Sequence, residues 1–169
     1  MRHKDIYLAP LLEAALIAVI ALGGWVSHSP LVFASLGPTA FELIETPERP
    51  SARPYNIIAG NIIAIAAAFF ALWLTGARGV PSVSSAGVPG LRVWAAVLAA
   101  MLTVFGTLLL KATQPAALST TLLISLGVMQ TLKDAGLILM AILLMTAMGE
   151  PIRLWRQRDR QRAQQKTLQ

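Results

Sequence analysis

Two short apolar segments of the sequence each contain a proline that is followed by hydroxyl residues. The residues concerned are Gly37, Pro38 and Thr39 in the first segment and Gln114, Pro115, Ser119, Thr120 and Thr121 in the second. Proline has no backbone N–H and disfavours helix at the residue before it, so each proline predicts the first turn of a helix. That turn exposes unpaired amide N–H groups and a partial positive charge. Two such helix starts that converge would bind a small anion; the alternative is a helix pair capped by neighbouring side chains.

Ionisable groups within the apolar segments are a second candidate for function, because such groups are costly inside a membrane. If the first short segment is helical, Glu42 shares a face with Thr39 and would line the same polar lumen. Glu13, about one turn inside the first apolar run, either belongs to a proton or ion pathway or pairs with a basic residue on another helix. Asn61 either bridges helices or lines a pore. We predict Glu13, Glu42 and Asn61 as gating or coupling residues.

The composition indicates a lipid environment for these segments. Of the 169 residues, 56% are hydrophobic and only 13% are charged, which is too apolar for a soluble domain of this length. The absence of cysteine excludes disulfides, thiolate metal sites and a cysteine nucleophile. Neither His3 nor His28 has a second ligand at metal spacing, and no catalytic motif is present. We therefore expect no enzyme, no metal site and no cofactor.

Four apolar stretches approach the twenty or so residues that a helix needs to cross a bilayer. They are Leu8 to Val26, Asn56 to Thr75, Val93 to Leu110 and Ala135 to Ile152. The two proline-containing stretches, Leu31 to Ile44 and Ala116 to Leu132, are shorter and are expected to form half-helices or short spans. The sequence thus predicts an all-α fold, a polytopic transmembrane helical bundle.

The order long, short, long occurs twice, on either side of a polar linker from Gly76 to Arg92. This order indicates two pseudo-repeats, at about residues 8–75 and 93–152, inside a single transmembrane domain of residues 1–152. If the short segments cross the membrane, there are six crossings and the repeats are inverted. If they are re-entrant, there are four crossings and the repeats are parallel. The distribution of basic residues among the loops slightly favours six.

Residues 153–169 form a basic tail. The positive-inside rule predicts that both termini are cytoplasmic in a multi-pass protein of the cell (inner) membrane. Anionic lipid explains the basic residues at the two ends better than nucleic acid does. Glu45 and Glu48 are followed by Arg49 and Arg53 and are expected to lie with them at the membrane interface.

Several of these segments resemble motifs of the HPP family of small integral membrane proteins. Gly37-Pro38-Thr39-Ala40 resembles the family's Gly-Ala-Ser/Thr-Ala stretch, and Pro54 to Asn61 resembles its Pro-Arg-Asn-x-Ile-Gly-Gly-His motif. Gln114 to Thr121 is similar to the namesake His-Pro-Pro-Ala-Gly-Ala-Thr-Ala motif. The resemblance extends over about Leu8 to Glu150 and implies a membrane transporter, with nitrite transport among the relatives.

The departures from the family pattern fall on its histidines. Gln114 stands in place of the signature histidine, Ala116 in place of the second proline, and Asn61 in place of the histidine after the glycines. Because an amide does not titrate, a mechanism that relies on imidazole protonation is not expected here.

These observations together predict a transporter or channel for a small inorganic anion, nitrite-like by resemblance, with its site at the two proline-started helices. About 140 membrane residues make a thin bundle, so a homo-oligomer is expected. The alternative function is a non-transporting membrane scaffold or assembly subunit that packs through its small-residue faces and presents the basic tail.

Overall fold

The apolar stretches of the sequence form helices. The structure is a computed structural model in which residues 3–167 are described. The α-helices are α1 (His3–Val26), α2 (Leu36–Glu45), α3 (Pro54–Leu74), α4 (Val83–Ala86), α5 (Gly90–Leu109), α6 (Ala116–Ser125) and α7 (Leu132–Thr167), with single 3-10 turns at Pro50–Ala52 and Ala77–Gly79. Within residues 3–167 there is no β-strand, and the all-α prediction is confirmed.

Four of the helices are long and apolar enough to cross a bilayer. The candidate spans are Ile6–Val26, Pro54–Leu74, Gly90–Leu109 and Leu132–Arg162, with mean hydropathies of 1.8 to 2.3. A helix of twenty residues is about 30 Å long, which matches the hydrocarbon core of a bilayer. Large apolar side chains on the outer faces are exposed, among them Leu11, Trp73, Phe105 and Leu143. Such exposure carries no hydrophobic penalty in lipid, and the chain is a multi-pass membrane protein.

The two short helices begin close to the prolines that predicted them. Pro38 is the third residue of α2, and Pro115 immediately precedes α6. Each helix has ten residues and is therefore about 15 Å long. Both are shorter than the apolar stretches around them, which is a correction to the expected boundaries. The five residues before α2 are irregular, and α6 ends before Gly127, which adopts a φ of +86°.

Contacts between helix ends define the direction of each helix. We call the end of the bundle at which the basic segment of α7 lies the tail end. The C-terminus of α2 lies there, because Glu45 pairs with Arg156 of α7 at 3.4 Å. The start of α3 lies there too, since Ser51, just before it, donates a hydrogen bond to Oε1 of Glu42 in α2 at 2.7 Å. The end of α5 follows, since the Tyr55 hydroxyl of α3 donates to the carbonyl oxygen of Leu110 at 3.0 Å. Asn56 donates to the carbonyl oxygen of Thr113, just before α6, at 3.1 Å.

The opposite end of the bundle, which we call the linker end, holds the connection between α3 and α5. Arg92, in the first turn of α5, donates hydrogen bonds there to the carbonyl oxygens of Val80, just after α3, and Ser125, the last residue of α6. The segments around α2, α3, α5, α6 and α7 therefore run alternately between the two ends. α6 and α7 run opposite to their counterparts α2 and α3, so the two units are inverted relative to each other.

The helix packing follows the same pseudo-symmetry. α3 packs against α5 and α6, whereas α7 packs against α1 and α2. The third helix of each unit thus packs on the first two helices of the other unit. Contacts of α3 with α7 and of α2 with α6 join the two groups. Close approach relies on small residues such as Ala64, Ala68, Ala95 and Ala99, all at 0% exposure, because dispersion between closely packed backbones holds helices together in lipid.

Candidate functional site

The predicted polar residues of α3 and α6 meet inside the bundle. Thr120 donates a hydrogen bond from its hydroxyl to Oδ1 of Asn61 at 2.6 Å. Nδ2 of Asn61 donates in turn to the carbonyl oxygen of Ile57 at 2.8 Å. Asn61 and Thr120 are both fully buried. Asn61 therefore bridges two helices, which was one of the two roles considered for it.

The hydroxyls next to Thr120 are also directed into the protein. The hydroxyl of Thr121 lies 2.8 Å from that of Thr103 on α5, and it donates to the carbonyl oxygen of Ala117 at 3.0 Å. Ser119 is half-buried on the same helix. The hydroxyl triplet of the second short segment thus contacts both α3 and α5.

Gln114 differs from its neighbours because its amide has no hydrogen-bond partner. The side chain is 3% exposed, and neither Nε2 nor Oε1 has a partner. It packs over Gly60 of α3, where an added Cβ would lie 2.8 Å from the Cβ of Gln114 and 3.1 Å from the carbonyl oxygen of Ala112. Only glycine at position 60 leaves room for the Gln114 side chain.

In the first short segment the hydroxyl side chains face inwards and the proline faces outwards. Thr39 is buried, and its hydroxyl donates to the carbonyl oxygen of Ser35 at 2.8 Å. The hydroxyl of Ser35, the residue just before α2, is buried without a partner. Gly37 is half-buried, and Pro38 is exposed. This segment lies against the second one, because α2 contacts α6.

Most amide N–H groups in the first turns of the short helices are paired, which corrects the assumption that they are free. In α2, the amides of Leu36 and Thr39 donate to the carbonyl oxygens of Phe33 and Ser35. In α6, the amides of Ala117 and Leu118 donate to those of Gln114 and Pro115. Tight first turns supply these acceptors locally. The unsatisfied hydrogen-bonding capacity of this region therefore lies mainly in side chains.

The predicted acids lie in different environments. Glu42 is 7% exposed; its Oε1 accepts a hydrogen bond from the hydroxyl of Ser51 at 2.7 Å, and its Oε2 is buried without a partner. Thr39 and Glu42 are both buried, as their shared helical face predicts. Glu13 is half-buried on α1.

Buried arginines at the ends of the short helices were not predicted from the sequence. Arg92 is 0% exposed and donates to the carbonyl oxygens of Ser125 and Val80 and to Oε1 of Gln130. It caps the C-terminus of α6, where unpaired carbonyls carry a partial negative charge. The position of Arg92 could have indicated this role. It lies in the first turn of α5, where a cation is unfavourable unless it bonds to another helix.

The C-terminus of α2 is capped in the same way by arginines of the segment read as a tail. α7 continues beyond residue 152, and Arg156 donates from Nε to the carbonyl oxygen of Ile44 at 3.2 Å. Arg153 donates to the carbonyl oxygen of Pro47 at 3.0 Å and pairs with Glu150 at 2.6 Å. Both arginines are buried.

The acids between α2 and α3 also pair with α7. Glu45 contacts Arg156 and Arg160, and Glu48 contacts Arg160 at 3.6 Å. The interfacial position expected for Glu45 and Glu48 stays a prediction, whereas their pairing with α7 was not predicted from the sequence. The arginine partners of these two acids lie more than a hundred residues further along the chain.

A cavity opens beside the Arg92 cap at the linker end. Its volume is about 350 Å³, and it is lined by Phe69, Leu72, Arg78, Gln130 and Leu132. Gln130 is also a partner of Arg92, so two arginines stand close to this opening.

The position of the Arg92 guanidinium requires a glycine at residue 127. A Cβ added at Gly127 would lie 2.7 Å from Cζ of Arg92, and the glycine has a φ of +86°. Gly76 has a φ of +68° and nothing within 4 Å of an added Cβ. We expect Gly76→Ala to lower the free energy of unfolding by about 1 kcal/mol, the cost of a left-handed alanine. Gly127→Ala should cost about 2–3 kcal/mol because it also displaces a charged hydrogen-bond donor.

Thermal unfolding of the two purified variants in the same detergent would measure this difference. Equal melting temperatures for Gly127→Ala and Gly76→Ala would show that the contact with Arg92 contributes nothing.

Comparison with known proteins gives one match. The model of a family described as HPP, transmembrane region, matches residues 1–151, which is most of the chain. No curated protein and no solved structure matches it.

Proposed function

We propose that this chain, which belongs to the family of HPP transmembrane proteins, carries a small inorganic anion across the membrane through a site where its two short helices meet. Nitrite is the first candidate for the anion, on the resemblance described above. The predicted substrate-binding residues of the site are those of the two short segments, with Glu42 and Glu13 as coupling groups.

One observation carries this proposal: two ten-residue helices begin inside the apolar bundle, contact each other and are surrounded by buried polar side chains. Four long spans are enough to anchor a protein in lipid, so anchoring does not explain the two short helices. Burying hydroxyl, amide and carboxyl groups at the same depth is costly. Repeat-built transporters use broken helices and polar groups of this kind to bind a solute away from bulk water.

The charges at the linker end support an anion as the species that collects at the mouth of the pathway. Arg78 lines the cavity at the linker end, and Arg92 lies behind its Gln130 wall. Positive charge at the mouth of a pathway raises the local concentration of anions. Glu42 lies towards the opposite, tail end, where a carboxyl group could couple movement of the anion to protons.

The membrane arrangement follows from the same reasoning. We place the tail end, with both termini, in the cytoplasm, where Arg158 and Arg162 would meet anionic lipid. Several exposed apolar faces remain on the single chain, and a homo-oligomer would enclose the pathway more completely than one protomer.

Anion flux into proteoliposomes tests the proposal. We expect wild-type protein to admit nitrite, and Thr120→Val to reduce that rate at least about tenfold, because the loss of the hydroxyl leaves Asn61 Oδ1 without its donor in the core. Thr39→Val should have a similar effect from the other short helix. Thr75→Val is the matched control, because the Thr75 hydroxyl donates four residues back, to Ala71 at 2.7 Å, as that of Thr39 does to Ser35, but lies at the end of α3 and not on a short helix.

Nitrate and chloride assayed in parallel would define selectivity among anions. Folded wild-type protein without any anion flux would contradict transport and favour a scaffold role. Flux that is equal in Thr120→Val, Thr39→Val and Thr75→Val would reject the site while leaving transport in place.

A further inference from the structure

Gln114 has an unused donor and an unused acceptor at the start of α6. Its side chain is 97% buried, and both polar atoms of its amide lack a partner. A buried amide in this state is unfavourable unless something else binds it. Asn61 and Thr120 do not bond to the Gln114 amide, because they bond to each other.

The chemistry of an amide specifies what would satisfy it. The NH₂ group donates hydrogen bonds and the carbonyl oxygen accepts them. A bare oxyanion has only acceptors, so it could bind Nε2 but would set its negative charge against the lone pairs of Oε1. The conjugate acid of the same oxyanion has one O–H donor and one oxygen acceptor. It could therefore bind both atoms of the amide at once.

The charges around Gln114 also favour a neutral solute. Arg92 bonds to Ser125 at the far end of α6, about 15 Å away along the helix. Lys111 is exposed to the surroundings of the bundle. Arg153 and Arg156 serve the C-terminus of α2.

The buried charge on the other short helix is an acid. Glu42 lies on α2, which contacts α6, and its Oε2 is buried without a partner. In the described part of the chain, no buried cation bonds next to Gln114. An anion at this point would therefore lose its hydration without gaining a counter-charge, which is strongly unfavourable in a medium of low polarity.

We propose that Gln114 binds the solute as the neutral conjugate acid of a small oxyanion, so that each anion crosses together with one proton. This inference rests on the proposed transport function and specifies the species transported. The acid forms in water on one side of the membrane, accepts from Nε2 and donates to Oε1 of Gln114, and dissociates in water on the other side. Charge and protons balance, since one anion and one proton enter together.

Proteoliposomes with an internal pH dye and a membrane-potential dye distinguish transport of the neutral acid from transport of the anion. Nitrite is added outside at pH 7.5, and protein-free vesicles give the background leak of nitrous acid. We expect protein-dependent nitrite uptake to acidify the interior by one proton per ion and to leave the membrane potential unchanged. Uptake that builds a negative internal potential without acidification would overturn the proposal while leaving anion transport intact. No uptake above the background would overturn both.

Gln114→Met separates a binding role from a structural one. Methionine has a similar volume and no hydrogen-bonding group to satisfy, so the melting temperature should stay the same or rise. Nitrite-driven acidification should fall at least about tenfold towards the background. A lower melting temperature with unchanged acidification would show that Gln114 serves packing and would overturn the proposal.

Discussion

Arg92→Ala is expected to be among the most destabilising single substitutions in the protein. The guanidinium is fully buried and donates to Ser125, Val80 and Gln130. Truncation leaves one buried acceptor, at Ser125, and two part-buried acceptors, at Val80 and Gln130, without this donor, and it creates a cavity at the junction of α3, α5 and α6. At about 1 kcal/mol for each acceptor, the free energy of unfolding should fall by about 3 kcal/mol.

Chemical or thermal unfolding in detergent would measure the loss. Arg78→Ala is the matched control, since Arg78 is exposed at the same end of the bundle and should change stability by less than about 0.5 kcal/mol. Arg92→Lys should fall between the two variants, because an ammonium group carries the charge but cannot reach three acceptors in the guanidinium's planar arrangement. If Arg92→Ala and Arg78→Ala unfold together, the cap of α6 is not a stabilising contact.

Arg156→Ala is expected to have the second large effect, at the other short helix. Arg156 is 1% exposed and donates to the carbonyl oxygen of Ile44 while pairing with Glu45. Its loss leaves the carbonyl oxygen of Ile44 without its donor and removes one of the two arginines that pair with the partly buried carboxylate of Glu45. Removing one partner of a buried charged group costs more than the pair contributes, so we expect a loss of about 3 kcal/mol.

Arg158→Ala provides the comparison, because Arg158 is exposed on the same helix two residues away. Its melting temperature should stay within about 1 °C of wild type, as for most surface substitutions. Limited proteolysis of residues 46–53 would report whether α2 has detached from α7. Protection of this segment in Arg156→Ala equal to that in Arg158→Ala would contradict the cap.

The long helices and the starts of the short ones could be predicted because their causes are local. Twenty consecutive apolar residues are stable as a helix in lipid whatever surrounds them. Pro38 and Pro115 constrain the backbone at their own positions and at the residue before. The alternation of long and short segments also indicated two pseudo-repeats, since the order of elements is itself a property of the sequence, but it did not decide between inverted and parallel repeats.

Pairing within the candidate site could not be predicted in the same way. The exposed helix amides expected at Pro38 and Pro115 are mostly bonded within their own turns, which depends on the exact backbone path. The acceptor of Thr120 lies 59 residues earlier in the chain. Only the packing of α6 against α3 determines that Asn61 is satisfied and that Gln114 is not.

The sequence by itself determined that this is a helical membrane protein with two broken segments, because hydropathy and proline act over a few residues. The tertiary structure alone decided which polar groups are paired. Arg92 ends the predicted polar linker and Arg156 lies in the predicted basic tail, yet both cap helices from other parts of the chain, since a guanidinium bonds to whatever carbonyl the fold brings near. The physical reason is that hydrogen bonding is short-ranged in space and has no fixed range in sequence.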